Sequence, residues 1–184
     1  MRISNTPILD LLLIEPKVWK DNRGYFYESY SAKAFAEAGV DVNFVQDNQS
    51  FSQKGILRGL HAQKAPFAQG KLVRVIQGSV LDVAVDARKG SPTFGQHYDV
   101  VLSGENHKQL WVPPGFLHGF LTLEDNTIFT YKVTQYYDKV SEVGVVWNDP
   151  YLNINWSEDI AEDDLILSDK DLVLPLFKDF DSPF

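Results

Sequence analysis

An all-β fold, an antiparallel sandwich or barrel, is predicted by three observations on the 184-residue chain. Short β-rich runs recur along it, turn signals separate them, and only one segment reads well as a helix. The runs are 25–30, 44–50, 56–63, 71–77, 80–86, 98–102, 109–112, 120–123, 127–133 and 144–147. Between them lie Asp21-Asn22-Arg23-Gly24, Gln77-Gly78, Lys89-Gly90-Ser91-Pro92, Pro113-Pro114-Gly115 and Asp125-Asn126, residues that turns require for positive φ or a fixed φ. The helix is 32–38, with Ser31 as N-cap and Gly39 closing it. A second short helix is expected over 158–165, and an irregular tail over 167–184. No repeat, low-complexity segment or linker divides the chain, so one domain over 1–184 is expected.

The runs differ in how much their alternation reveals. In 71–77, Lys71 shares a face with Val73 and Val75, so its ammonium is expected to point inward. In 127–133, Phe129, Tyr131 and Val133 share one face, which turns Tyr131 inward. In 56–63, His61 falls on the face of Leu57, whereas Arg58 has the opposite parity. The two serve one site only if the strand breaks its alternation, and Gly59 is the natural place for a bulge.

Charge and composition exclude several function classes. The net charge of −8 makes nucleic acid and anionic membranes poor partners. The apolar run 8–14 is interrupted by Asp10 and too short to span a bilayer, and no signal-peptide pattern accompanies it. A soluble, cytoplasmic protein is therefore expected. Without cysteine there is no disulfide, thiolate ligand or cysteine nucleophile. Seven basic residues between Lys54 and Lys89 face only Asp82 and Asp86, while twelve acidic residues from Asp138 onward face three lysines. A basic centre in an acidic protein suits a small anionic ligand; two complementary surfaces that pair with each other fit the same pattern.

Chemistry narrows further by elimination. No serine sits in a G-x-S-x-G setting, and neither a P-loop nor a dinucleotide fingerprint occurs. His61, His97, His107 and His118 show no ligand spacing, and no metal is expected. What remains is an acid–base set: His61 as base, Lys71 to stabilise an oxyanion, Tyr131 to donate a proton, with Arg58 and carboxylates nearby. Taken singly, His61 reads more readily as a hydrogen-bonded core residue and Tyr131 as packing; together with Lys71 they read as a site.

Along nearly its whole length the chain resembles the dTDP-4-dehydrorhamnose 3,5-epimerase family. The resemblance is carried by Asp21-Asn22-Arg23-Gly24, Phe44-Val45-Gln46-Asp47-Asn48, Leu57-Arg58-Gly59-Leu60-His61, Gln69-Gly70-Lys71-Leu72-Val73-Arg74-Val75 and Asp82-Val83-Ala84-Val85-Asp86. It continues in Ser91-Pro92-Thr93-Phe94-Gly95, Val112-Pro113-Pro114-Gly115-Phe116-Leu117-His118-Gly119-Phe120, Trp147-Asn148-Asp149-Pro150 and Leu167-Ser168-Asp169-Lys170-Asp171.

The resemblance implies a cupin-type jelly roll, usually a homodimer, that works without metal or organic cofactor. Its substrate would be a dTDP-linked 4-keto-6-deoxy-D-glucose, and its product the 4-keto-L-rhamnose epimer on the route to dTDP-L-rhamnose. By motif position His61 is the base, oriented by Asp171; Lys71 stabilises the enolate oxygen; Tyr131 donates the proton on the opposite face; Tyr137 stacks on thymine. Arg23, Glu28, Gln46, Asp47, Asn48, Arg58, His118, Glu142 and Lys170 match nucleotide-sugar-binding positions, and Arg23 is expected to reach a neighbouring subunit. A mono-epimerase or ketoisomerase of related dTDP-4-keto sugars, or a non-catalytic nucleotide-sugar-binding cupin, are the alternatives. Two departures stand out: Ala62 where an aromatic is common, which predicts a looser pocket wall, and Leu117 where a smaller residue is common.

Overall fold

The computed structural model describes residues 1–157 and 159–184. Two antiparallel sheets face each other. The six-stranded sheet has the order β1 (Arg2–Asn5), β2 (Leu12–Glu15), β10 (Gln109–Val112), β7 (Lys71–Gln77), β12 (Thr127–Val133), β5 (Gln46–Ser52). The five-stranded sheet runs β13 (Glu142–Gly144), β6 (Leu57–Gln63), β11 (Phe116–Thr122), β8 (Ser79–Asp86), β9 (His97–Ser103). A separate hairpin pairs β3 (Trp19–Asp21) with β4 (Gly24–Phe26). The architecture is the expected cupin-like β-sandwich.

Three apolar clusters hold it together. Val73, Val75, Phe129, Val80, Ala84, Phe116 and Phe120 fill the space between the sheets. Leu57, Leu60, Leu81, Val83, Leu117 and Leu121 point the other way, under Trp147, Trp156 and Phe177 of the C-terminal segment. Helix α1 (Ala32–Glu37) covers the outer face of the six-stranded sheet by burying Phe35 against Leu72, Ile14 and Trp111. Ser31 caps that helix, accepting from the Ala34 amide at 3.5 Å.

Double coverage explains where sequence periodicity fell short. All seven residues of β11 and all eight of β8 are buried, so neither alternates. The expected strand 120–123 is accordingly longer and begins at Phe116. Run 25–30 shrinks to the hairpin strand β4 (Gly24–Phe26), and the expected run 144–147 meets β13 only at Gly144, the strand lying before it. Strands β1, β2 and β3 were not expected, because four and three residues are too short to show a period. The tail is not irregular: α2 (Asp169–Leu172), capped by Ser168, and a 3-10 turn at Phe177–Asp179 organise it. Of the helix expected over 158–165, position 158 lies outside the described residues, and the remainder holds a 3-10 turn at Glu162–Asp164 instead of an α-helix.

At the end of β8 the buried Asp86 collects donors from the motif that follows it. The Arg88 guanidinium and amide, the Ser91 hydroxyl (2.6 Å) and the Thr93 hydroxyl (2.6 Å) all bond to it. Burial raises its pKa, but these donors outweigh burial and hold the carboxyl down at about 2.

Candidate active site

Strand β6 departs from its alternation between Arg58 and His61. Against β11, His61 pairs with His118 and Arg58 with Phe120, so two residues, Gly59 and Leu60, oppose the single Gly119. Leu57 and Leu60 therefore face the outer cluster while Arg58 and His61 both face inward. His61 does not share the face of Leu57, as simple alternation predicts; the bulge at Gly59 puts it with Arg58. Gly59 has φ +124, and a Cβ there would lie 2.5 Å from the Gly119 Cα, so only glycine permits this approach. The Gly59–Leu60 peptide is cis.

The inward side chains of β6, β7, β11 and β12 line a cleft of about 830 Å³ that the C-terminal segment closes on one side. His61 Nε2 lies 2.5 Å from Asp171 Oδ1, across 110 positions of sequence. Asp171 reaches it because Ser168 caps the first turn of α2 and accepts from the Asp171 amide at 3.4 Å. Burial pushes the Asp171 carboxyl up, yet the His61 hydrogen bond and charge, then Ser168 and Lys170, bring the net shift below the usual aspartate value. An ionised carboxylate only accepts, so Nε2 carries the proton and Nδ1 keeps its lone pair. Nδ1 lies 4.0 Å from Glu142 Oε1.

Glu142 organises the rim. It accepts from Lys170 Nζ at 2.5 Å and from the Tyr137 hydroxyl at 3.2 Å. Burial raises its pKa; Lys170, the His61 charge and Tyr137 together more than reverse that. Lys71, on β7, also lines the cleft, and burial lowers its pKa to about 8, opposed by the charges of Asp82 and Glu142. Tyr131, packed beside Phe129, is shifted upward, chiefly by burial, with Arg58 opposing and Glu142 adding to the rise. At neutral pH the cleft thus offers a cationic lysine and a protonated phenol.

Not every sequence-derived site residue joins them. Arg58, His61, Lys71, His118, Tyr131, Tyr137, Glu142, Lys170, Asp171 and Asn48 line the cleft. Gln46 is joined to it, donating to Asn48 Oδ1 at 2.8 Å and accepting from the Tyr137 amide. Asp47 lies on the opposite face of β5, bound to Lys132 at 2.9 Å. Arg23 sits in the exposed β3–β4 hairpin, bonded to Asp21 at 2.6 Å, and Glu28 is exposed beyond β4. Ala62 and Leu117 belong to the outer cluster, so neither shapes the pocket wall and the expected loosening does not follow.

Sequence reasoning named Gln46 and Asn48 but missed Ser50 and Ser52, which continue the same polar rail of β5. Gln46, Asn48, Ser50 and Ser52 alternate with exposed neighbours, and Ser52 accepts from Arg58 at 3.4 Å. The signal was present, since every second residue of the strand is polar, but alternation alone leaves open which face is inward. The charge asymmetry resolves in both ways at once: Lys89 pairs with Asp181 of the acidic tail, while Arg58 and Lys71 stay with the cleft. No cluster of three metal-ligating side chains and no helix long and apolar enough to cross a membrane occurs among the described residues.

A histidine–carboxylate dyad, a lysine and a tyrosine around one cleft of a cupin-like sandwich define a class: an isomerase that moves protons beside a carbonyl. Comparison with known proteins narrows this. The dTDP-4-dehydrorhamnose 3,5-epimerase family matches residues 5–179. The dTDP-4-dehydrorhamnose 3,5-epimerase of Shigella flexneri is 52% identical over 182 residues, covering 98% of each chain. The crystal structure of the Elizabethkingia anophelis enzyme of that name superposes with a TM-score of 0.92 at 50% identity, over 97% of each chain. That of a dTDP-6-deoxy-D-glucose-3,5-epimerase from Legionella pneumophila, in complex with dTDP-4-keto-L-rhamnose, gives 0.91 at 50% identity, over 98% of this chain and 94% of that one. The chain belongs to the dTDP-4-dehydrorhamnose 3,5-epimerase family.

Proposed function

We propose that the protein inverts C3 and C5 of dTDP-4-dehydro-6-deoxy-D-glucose, yielding dTDP-4-dehydro-L-rhamnose for dTDP-L-rhamnose synthesis. The observation that carries this reading is the His61–Asp171 contact of 2.5 Å in one cleft with Lys71 and Tyr131. The C4 ketone acidifies the hydrogens on C3 and C5. His61 Nδ1 takes one as a proton, and the C–H electron pair moves into the enolate, whose oxygen meets the Lys71 ammonium. Tyr131 returns a proton from the opposite face, which inverts the carbon; its raised pKa keeps the phenol loaded at neutral pH. His61 then releases its proton to cleft water and Tyr131 regains one from it, and the same cycle at the second carbon completes the reaction.

The rest of the cleft serves binding. Arg58 suits the diphosphate, supported by Lys170, and Gln46, Asn48, His118 and Glu142 suit the polar groups of the nucleotide sugar, while the exposed ring of Tyr137 suits a face of thymine. A cleft of about 830 Å³ accommodates a nucleotide sugar. A single domain over 1–184 fits this reading, because the C-terminal segment that supplies Asp171 also covers the outer core. Arg23 and Glu28 fit a homodimer in which the β3–β4 hairpin, with its exposed Trp19, Tyr25 and Phe26, reaches a second copy. Asp47 joins the binding set only through such a neighbour.

Incubation with the dTDP-4-keto sugar in deuterated water tests the reading. NMR should show deuterium at both C3 and C5, abolished by His61→Asn. Label at a single carbon supports mono-epimerisation instead, and none at either carbon defeats the proposal. In Tyr131→Phe, exchange should outlast net inversion; equal loss of both would remove Tyr131 from its role.

A further inference from the structure

A second histidine–carboxylate pair stands in the molecule, and its carboxylate has no part in the mechanism above. Asp82 lies mid-strand in β8, fully buried, on the face where Val80 and Ala84 enter the inter-sheet core. A carboxylate there is costly unless strong hydrogen bonds and a nearby cation compensate. Both of its oxygens lie 3.0 Å from His118 Nε2. His118 lines the cleft, whereas Asp82 stands behind it, out of reach of solvent. His118 is also the register partner of His61.

Resting on the epimerase reading, we propose that Asp82 is a positioning residue of the reaction: it locks His118 as the Nε2–H tautomer. The geometry carries it. An ionised carboxylate accepts and never donates, so the hydrogen on His118 must sit on Nε2. Nδ1 is then an acceptor on the cleft wall, able to take a sugar hydroxyl and unable to bind a carbonyl or phosphate oxygen. The facing imidazoles thus share one tautomer and differ in exposure. His61, at 22% side-chain exposure, can work as a base, while His118, at 7%, is confined to reading the ligand.

Asp82→Asn removes the charge without changing shape, and its amide can donate, which frees His118 to adopt the other tautomer. The expected result is a kcat lower by about 10- to 100-fold. In the unaltered protein, ¹⁵N NMR of the imidazoles should show His118 neutral and protonated on Nε2. A folded Asp82→Asn variant with unchanged kcat overturns the proposal. So does Nδ1 protonation or a charged His118 in the unaltered protein, a measurement that decides the matter even if the variant does not fold. Absence of deuterium exchange in the unaltered enzyme defeats the epimerase reading and leaves the tautomer measurement standing.

Discussion

Replacing Lys71 by Met removes an ammonium that the fold itself opposes. Its pKa falls from 10.5 to about 8 because burial strips water from the charged form. At about 1.4 kcal/mol per pH unit that difference is worth roughly 3 kcal/mol, and contact with cleft water reduces the expected gain to about 2 kcal/mol. Near pH 7 the lysine is protonated whether folded or unfolded, so the folded state carries nearly the full cost and Lys71→Met should be more stable. As pH rises through 8 the folded lysine loses its proton before the unfolded one does. Between 8 and 10.5 the unfolded state binds more protons, the unaltered protein gains stability, and the advantage of the variant shrinks; above 10.5 it is gone. Urea unfolding at pH 7.0 and 9.5 reads this directly. Activity should drop by roughly 10²–10³, a trade of stability for function. A variant no more stable than the parent at pH 7, or an advantage that does not change with pH, would refute the reasoning.

Gly59→Ala should cost at least about 3 kcal/mol, because its Cβ meets backbone atoms of Gly119 and His118 at 2.5 and 2.8 Å; thermal melts check this, and any soluble protein should lack activity. Asp86→Asn should lose about 2 kcal/mol at neutral pH. Since the folded pKa of Asp86, about 2, lies below the unfolded value of 3.8, that contribution is present above 3.8 and disappears as pH falls toward 2, which acid-unfolding curves of the two proteins should show. Asp171→Asn leaves the His61 tautomer unspecified and should lower kcat by about 10²–10⁴ with little change in KM; steady-state kinetics would contradict the dyad if KM alone moved.

Period-two alternation was sufficient for β7 and β12, whose bounds and inward faces match the pattern of Lys71, Val73 and Val75 and of Phe129, Tyr131 and Val133. The serine cap and closing glycine marked both ends of α1 without it. It was silent in β8 and β11, whose residues are buried on both faces. It misplaced His61 relative to Leu57, since a bulge resets parity and only the partner strand reveals that two residues oppose one.

By itself, then, the sequence determined the class of fold, the inward-facing lysine and tyrosine, and, through the order of its motifs, the family. Those features are written in local spacing and residue type. Only the tertiary structure decided that Arg58 and His61 share a face, that Asp171 closes on His61, that Asp82 stands behind His118, and that Arg23, Glu28 and Asp47 lie outside this chain's own cleft. Each of these depends on which strands pair and which segment covers which face. That is set by burying apolar surface between residues distant in sequence.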